Sequence, residues 1–130
     1  MTKLEKRYQT WGDASFEAYV KEDVEAEVSL WAENCTFTVI DAFGEHQIIQ
    51  GKAAHRKYVE DWVSRTNNFQ ILKNEILSAS QEKGIGNAIV RWTGSDGNEF
   101  SCNFIYMMTL DADNRCTSFA EWNVVKKREQ

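Results

Sequence analysis

The sequence predicts a single α+β domain spanning residues 1–130, with helices first and a run of antiparallel strands afterwards. Apolar residues recur at helical spacing near the start of the chain, and turn clusters divide the second half into extended runs. No proline occurs anywhere, so the strands can run unbroken. Helices followed by consecutive strands point to α+β rather than to a parallel α/β sheet. A chain of 130 residues suits one core, and 42% hydrophobic with 27% charged residues leaves no tract too polar to fold.

From Leu4 to Val20 the residues Leu4, Tyr8, Trp11, Phe16, Tyr19 and Val20 predict an amphipathic helix, with Gly12 as its weakest point. Asp23 is suited to cap a second helix, where Glu25 and Glu27 lie near the positive end and Val24, Val28 and Trp31 share a face. Polar and apolar side chains alternate from Cys35 to Asp41. After Ala42-Phe43-Gly44-Glu45 a second extended run reaches Gln50, which predicts a hairpin. Gly51 begins a third helical stretch whose stripe of Tyr58, Val59, Trp62 and Val63 is suited to cover a sheet. Beyond Asn67 and Asn68 come the clusters Lys83-Gly84-Ile85-Gly86, Ser95-Asp96-Gly97-Asn98 and Asp111-Ala112-Asp113-Asn114. They separate the four strands of a meander.

Composition excludes several function classes. The net charge is −5 and the longest basic run is the Lys126-Lys127-Arg128 tail, so a nucleic-acid partner is not expected. No apolar run approaches the roughly 18 residues needed to cross a bilayer. The segment Met1 to Arg7 also lacks the apolar stretch of a signal peptide, so a soluble, cytoplasmic protein without a membrane partner is expected. Cys35, Cys102 and Cys116 are odd in number and scattered, which favours reduced thiols over a disulfide framework. Only His46 and His55 are available to a metal, and neither has a second ligand at helical spacing, so no metal site is expected.

Several segments carry a likeness when taken in order. The first helix leads into Lys21-Glu22-Asp23-Val24 and then Leu30-Trp31-Ala32-Glu33-Asn34-Cys35-Thr36-Phe37. Gly51-Lys52-Ala53-Ala54 opens the third helix, and Asn87-Ala88-Ile89-Val90-Arg91-Trp92 and Phe119-Ala120-Glu121-Trp122-Asn123 follow. This order and spacing, over nearly the whole chain, resembles the nuclear transport factor 2-like superfamily, especially its SnoaL-like members. The resemblance implies a cone-shaped α+β barrel, a curved and mostly antiparallel sheet around three helices, a deep pocket, and a homodimer through the outer sheet face. It does not fix the chemistry, since the family includes isomerases, epoxide hydrolases, dehydratases, cyclases and non-enzymatic binders.

Strand alternation assigns the faces once each strand has an anchor. The last strand is similar to the limonene epoxide hydrolase pattern Trp-Arg-Asp-Tyr-Phe, which implies Glu121 inward, together with Thr117, Phe119 and Asn123. Matching the strands by their turns places Asn87, Ile89, Arg91 and Thr93 inside with Cys102, Phe104, Tyr106 and Met108, and adds Phe37, Val39 and Asp41 from the first strand. The outward set is then Ala88, Val90, Trp92, Ile105, Met107, Ala120, Trp122 and Val124. Its apolar area is suited to a homodimer, centred on Val90, Trp92, Ile105, Met107 and Trp122. The alternative is an inverted register, because a slip of one residue exchanges the faces.

Glu121 is the first candidate for chemistry, as a carboxylate on an apolar face with Arg91 as its expected partner; the pair would be catalytic or a buried structural ion pair. Tyr106 falls where ketosteroid isomerases place the protonated aspartic acid of their oxyanion hole, which implies a phenol donating in its place. The general-base position of those isomerases falls on Val39 and their helix-one tyrosine on Ser15, so steroid-type isomerisation is not expected. Arg91-Trp92-Thr93 likewise lacks the second acid of the limonene epoxide hydrolase Arg-x-Asp pattern. Asp41 is a candidate at the pocket mouth or a solvated turn residue, and His55 a proton carrier or a half-buried histidine bonded to backbone. Asn123, Asn87, Phe104, Phe119, Met108, Tyr58, Trp11 and Val39 are the expected ligand contacts. The expectation is a small-molecule pocket, run as a cofactor-independent acid–base enzyme on a small apolar cyclic or polyketide-like substrate, or as a non-catalytic binder of such a ligand.

Overall fold

A computed structural model describes residues 1–41 and 43–128. Three helices, α1 (Lys3–Val20), α2 (Val24–Ser29) and α3 (Lys52–Arg65), accompany six strands. The strands are β1 (Trp31–Ile40), β2 (His46–Gln50), β3 (Thr66–Ala79), β4 (Gly84–Gly94), β5 (Glu99–Leu110) and β6 (Cys116–Lys127). They form one open sheet in the order β2-β1-β6-β5-β4-β3, in which β1 and β6 are parallel and the other four pairings antiparallel. The hairpin and the four-stranded meander are both present. Three register breaks in the β3–β4 ladder and one between β5 and β6 bend the strands, so the sheet curls toward its helices.

Helix α1 starts in a capping box, Thr2 accepting from the Glu5 amide and the Glu5 carboxylate accepting from the Thr2 amide. Its buried face is Tyr8, Trp11, Gly12, Ser15 and Ala18. Gly12, expected to be the weak point, is where the helix comes closest to β3: a Cβ there would stand 3.0 Å from Asn74 Nδ2. Asp23 caps α2 through the Ala26 amide at 3.0 Å. Trp31, expected on the face of α2, is the first residue of β1. Gly51 takes the positive φ of 87° that turns β2 into α3.

On β5 and β6 the assigned faces agree with the ladder. Tyr106 pairs with Glu121, Phe104 with Asn123 and Met108 with Phe119, all on the concave side. On β4 the expected register is inverted. Val90 pairs with Cys102 and Ala88 with Phe104, so Ala88, Val90 and Trp92 are buried inside, while Arg91 and Asn87 lie on the outer face with Ile89 and Thr93. The cause is the position of the preceding turn. Ser80 and Lys83 close it, the Ser80 hydroxyl accepting from the Glu82 and Lys83 amides, so Gly84 and Gly86 are strand residues rather than turn residues. The rings of Tyr8 and Tyr106 lie flat against these two glycines, and a Cβ on either would fall among the ring atoms.

The outer apolar patch accordingly loses Ala88, Val90 and Trp92 and keeps Ile105, Met107, Ala120, Trp122 and Val124. Thr117 is also displaced from the inner face, because the bulge at Thr109/Leu110 turns its hydroxyl onto that of Thr109. Asp41 is exposed and accepts from the Phe43 and Glu45 amides, so it closes the β1–β2 turn instead of entering the concave face. Ala42 in that turn lies outside the described residues.

Candidate functional site

A cavity of about 150 Å³ lies between the concave sheet face and the helices. Its walls are mostly aromatic, with Trp11 and Phe16 from α1, Trp31 and Phe37 from β1, Phe104 from β5 and Phe119 from β6. Helix α3 adds Tyr58 and Trp62, and the Trp62 ring meets Trp92 of β4 edge-on at 5.0 Å. Val125, about half exposed, stands at the rim. Among the described residues no Lys, Arg or His lines the cavity, so its charge comes from Glu27 and Glu121.

Glu121 projects from the middle of β6 with Val39 on one neighbouring strand and Tyr106 on the other. Its hydrogen bond is from Asn123 Nδ2 to Oε2 at 3.2 Å. Burial raises its pKa to about 7, the Asn123 bond only partly opposing the shift. At neutral pH such a group can take a proton or give one. The phenols of Tyr19 and Tyr58 are held in their protonated, donating form, first by burial and then by nearby charge, which for both includes Glu121. Burial and Glu121 also push the Cys102 thiol up to about 12, so it stays neutral.

Of the residues singled out from sequence, the structure brings Glu121, Tyr106, Asn123, Phe104, Phe119, Tyr58 and Trp11 to this cavity. Tyr106 contributes its ring, while its hydroxyl donates to Asn74 Oδ1 at 2.6 Å and is not free for a substrate oxygen. Met108 and Val39 face inward but do not line the cavity; Met108 is fully buried in the core. Arg91, paired with Ser101, and Asn87, which donates to Asn103 Oδ1 at 2.8 Å, stay outside. Arg91 therefore cannot be the partner of Glu121. His55 is fully buried behind the cavity wall, with the Trp31 ring 4.0 Å from its own.

Glu27 was not visible as a site residue. It lines the cavity at 1% exposure, accepting from Ser15 Oγ at 2.6 Å and from Trp31 Nε1 at 2.9 Å. In the sequence it sits in the first turn of a short helix, where a carboxylate is explained by the helix dipole alone. Trp31 four residues later was a signal, since an indole N–H needs an acceptor when buried.

Residues 13–119 match the family model described as the SnoaL-like domain. Among solved structures, a Bacillus subtilis protein named as a candidate isomerase superposes with a TM-score of 0.78 at 16% identity, over 94% of this chain and 89% of its own. The epoxide hydrolase/cyclase-like enzyme SalBIII, associated with pyran ring formation in the polyether salinomycin, gives 0.76 at 19% identity over 98% and 100%. A candidate polyketide cyclase from Xanthomonas campestris pv. campestris gives 0.74 at 14% identity over 92% of each chain. The superpositions establish a shared fold. No curated protein matches in sequence.

Proposed function

The chain belongs to the SnoaL-like domain family of the nuclear transport factor 2-like superfamily, and on that premise we propose that it is a cofactor-independent acid–base enzyme acting on a small, largely apolar cyclic or polyketide-like molecule. The observation that carries the proposal is Glu121, a carboxylate poised near neutrality on the wall of an aromatic cavity. Its charged form lacks a cationic partner among the cavity-lining residues described, so it attracts a proton more strongly than a solvated carboxylate does. Tyr19 and Tyr58 supply phenolic donors toward a substrate oxygen on which charge develops. An apolar cavity of about 150 Å³ is known to take a benzene-sized ring, so one ring is expected inside and further atoms at the rim near Val125. The ring formation associated with SalBIII and the cyclase description of the Xanthomonas protein support the substrate class.

The test needs no natural substrate. Deuterium uptake at the α-carbon of 1-indanone in D2O, followed by mass spectrometry, reads proton abstraction inside an apolar site. Wild type is expected to accelerate uptake over buffer, and Glu121→Gln to lose about 100-fold or more of that acceleration. Undiminished uptake by a folded Glu121→Gln variant would remove Glu121 as the proton carrier. Binding of the ketone with no uptake would instead assign a non-catalytic ligand-binding module.

We further infer a homodimer in which a second copy covers the outer face of β5 and β6. Ile105 (40%), Trp122 (44%) and Val124 (46%) are exposed there side by side, a patch suited to an isologous contact. Trp122→Glu is expected to give a monomer by light scattering. The buried, unpaired thiols of Cys35, Cys102 and Cys116 support a reducing, cytoplasmic setting.

A further inference from the structure

Ser15, Glu27 and His55 have no part in the function proposed above, yet they form a buried polar cluster, with Ser15 and Glu27 in the cavity floor and His55 behind it. Each Glu27 oxygen holds one donor, Ser15 Oγ on Oε1 and Trp31 Nε1 on Oε2, which fixes the carboxylate plane against the cavity. His55 Nε2 lies 3.5 Å from Glu27 Oε2, and neither of its ring nitrogens has a hydrogen-bond partner among the described residues. Trp31, Phe37 and Tyr58 enclose the imidazole and shield it from water. A buried imidazole without a partner is unfavourable, and sharing a proton between Nε2 and the adjacent carboxylate after a small closing movement removes the part of the penalty that belongs to Nε2.

We propose that Glu27, backed by His55, is a second proton-transfer group of this site, acting at the cavity floor on the oxygen of a cyclic ketone or enone whose acidic C–H faces Glu121. The proposal rests on the acid–base function assigned above and names its substrate class. Glu121 removes the proton from the carbon beside the carbonyl, and the C–H electron pair forms a carbon–carbon double bond. The carbonyl π pair moves to oxygen, which takes through Glu27 the one proton that the pair shares, leaving Glu27 ionised and His55 neutral. Return of the Glu121 proton to carbon, and of the enol proton to the Glu27–His55 pair, closes the cycle without a co-reactant. Glu27 is the catalytic residue of this pair and His55 the positioning residue.

The phenols and thiols facing the pair are neutral. Tyr19 of α1, Tyr58 of α3, and the thiols of Cys35 on β1 and Cys116 on β6 are all pushed up by burial and stay neutral. Tyr19, which also lines the cavity, is raised further by the charges of Glu27 and Glu121. The Glu25–Arg56 ion pair joins α2 to α3 on the exposed side and balances its own charge.

The sequence contains two histidines, so a sample labelled with 15N-histidine has two imidazoles, and His46→Gln assigns them. In Glu27→Gln the midpoint of the His55 titration is expected to move at least ten-fold in proton concentration toward the neutral ring, while Glu121→Gln leaves it in place. Glu27→Gln is also expected to lower kcat for 1-indanone exchange at unchanged KM. A His55 titration that is identical in wild type and Glu27→Gln would overturn the Glu27–His55 proposal alone. Undiminished exchange in Glu121→Gln would overturn the earlier proposal and the substrate step with it, while a His55 titration that still moves in Glu27→Gln would leave the Glu27–His55 coupling standing. The second variant is His55→Gln, which keeps a hydrogen-bonding group without a titrating ring. It is expected to shift the pH profile of exchange and not the affinity; a profile superimposable on wild type would overturn the proposal.

Discussion

Glu121 stands directly opposite Tyr106 across the β5–β6 ladder, and both side chains enter the same cavity. The Tyr106 hydroxyl nevertheless donates away from the carboxylate, to Asn74 on β3. Glu121 is left with one amide donor, Asn123, and its ionised form is poorly compensated. That imbalance makes the group a proton carrier and also makes it a liability for stability.

The liability has a definite sign. The folded pKa of Glu121 is about 7 against an ordinary 4.5, so the folded state binds the proton more tightly than the unfolded chain. Its contribution to stability therefore falls as pH rises from about 4.5 to 7 and is constant above that window. Glu121→Gln, neutral at every pH, should match wild type at pH 4 and exceed it at pH 8 by about 1–3 kcal/mol in urea unfolding. A wild type that gains on the variant as pH rises would contradict the assignment.

Gly86 is expected to be irreplaceable while Tyr106 is present. A methyl group there meets the Tyr106 ring, so Gly86→Ala should destabilise by about 1–3 kcal/mol through overpacking. In the Tyr106→Leu background the same change should cost less, with a coupling of about 1 kcal/mol in a double-mutant cycle. Zero coupling would show that the strand backbone and not the ring sets the cost.

Arg91 lies outside the cavity, on the convex face opposite Ser101. Arg91→Ala should leave ketone exchange unchanged and move stability by no more than about 0.5 kcal/mol. A loss of exchange comparable with that of Glu121→Gln would restore the ion pair expected from sequence.

Cys35, Cys102 and Cys116 are each buried, and burial raises the pKa of all three thiols. They should resist a thiol-reactive disulfide reagent at pH 8 in the native state and all react in urea. Fast labelling of the native protein would show that the cavity opens to solvent.

Much of the architecture was legible because its signals are local. The spacing of Tyr8, Trp11 and Ser15 writes the buried face of α1, Asp23 caps α2 by its own side chain, and Cys102, Phe104, Tyr106 and Met108 alternate strictly along β5. The face of β4 was misjudged because Gly84 and Gly86 carry the composition of a turn. With period two, one misplaced boundary moves Arg91 and Asn87 from one side of the sheet to the other. The alternation of small residues at Gly84, Gly86 and Ala88 was the available correction, since it leaves room for rings from other elements. Glu27 was legible as a site residue only through Trp31 four residues later, whose indole needs an acceptor when buried. Ser15, Trp31 and His55 reach it from three other elements, and nothing in the six residues of α2 encodes that meeting.

The pH dependence of deuterium uptake by 1-indanone tests the central claim most directly. The account predicts a rate that rises through an inflection near pH 7 as Glu121 ionises, and the disappearance of that inflection in Glu121→Gln. A profile with the same inflection in both proteins would place the proton carrier elsewhere and contradict the role given to Glu121.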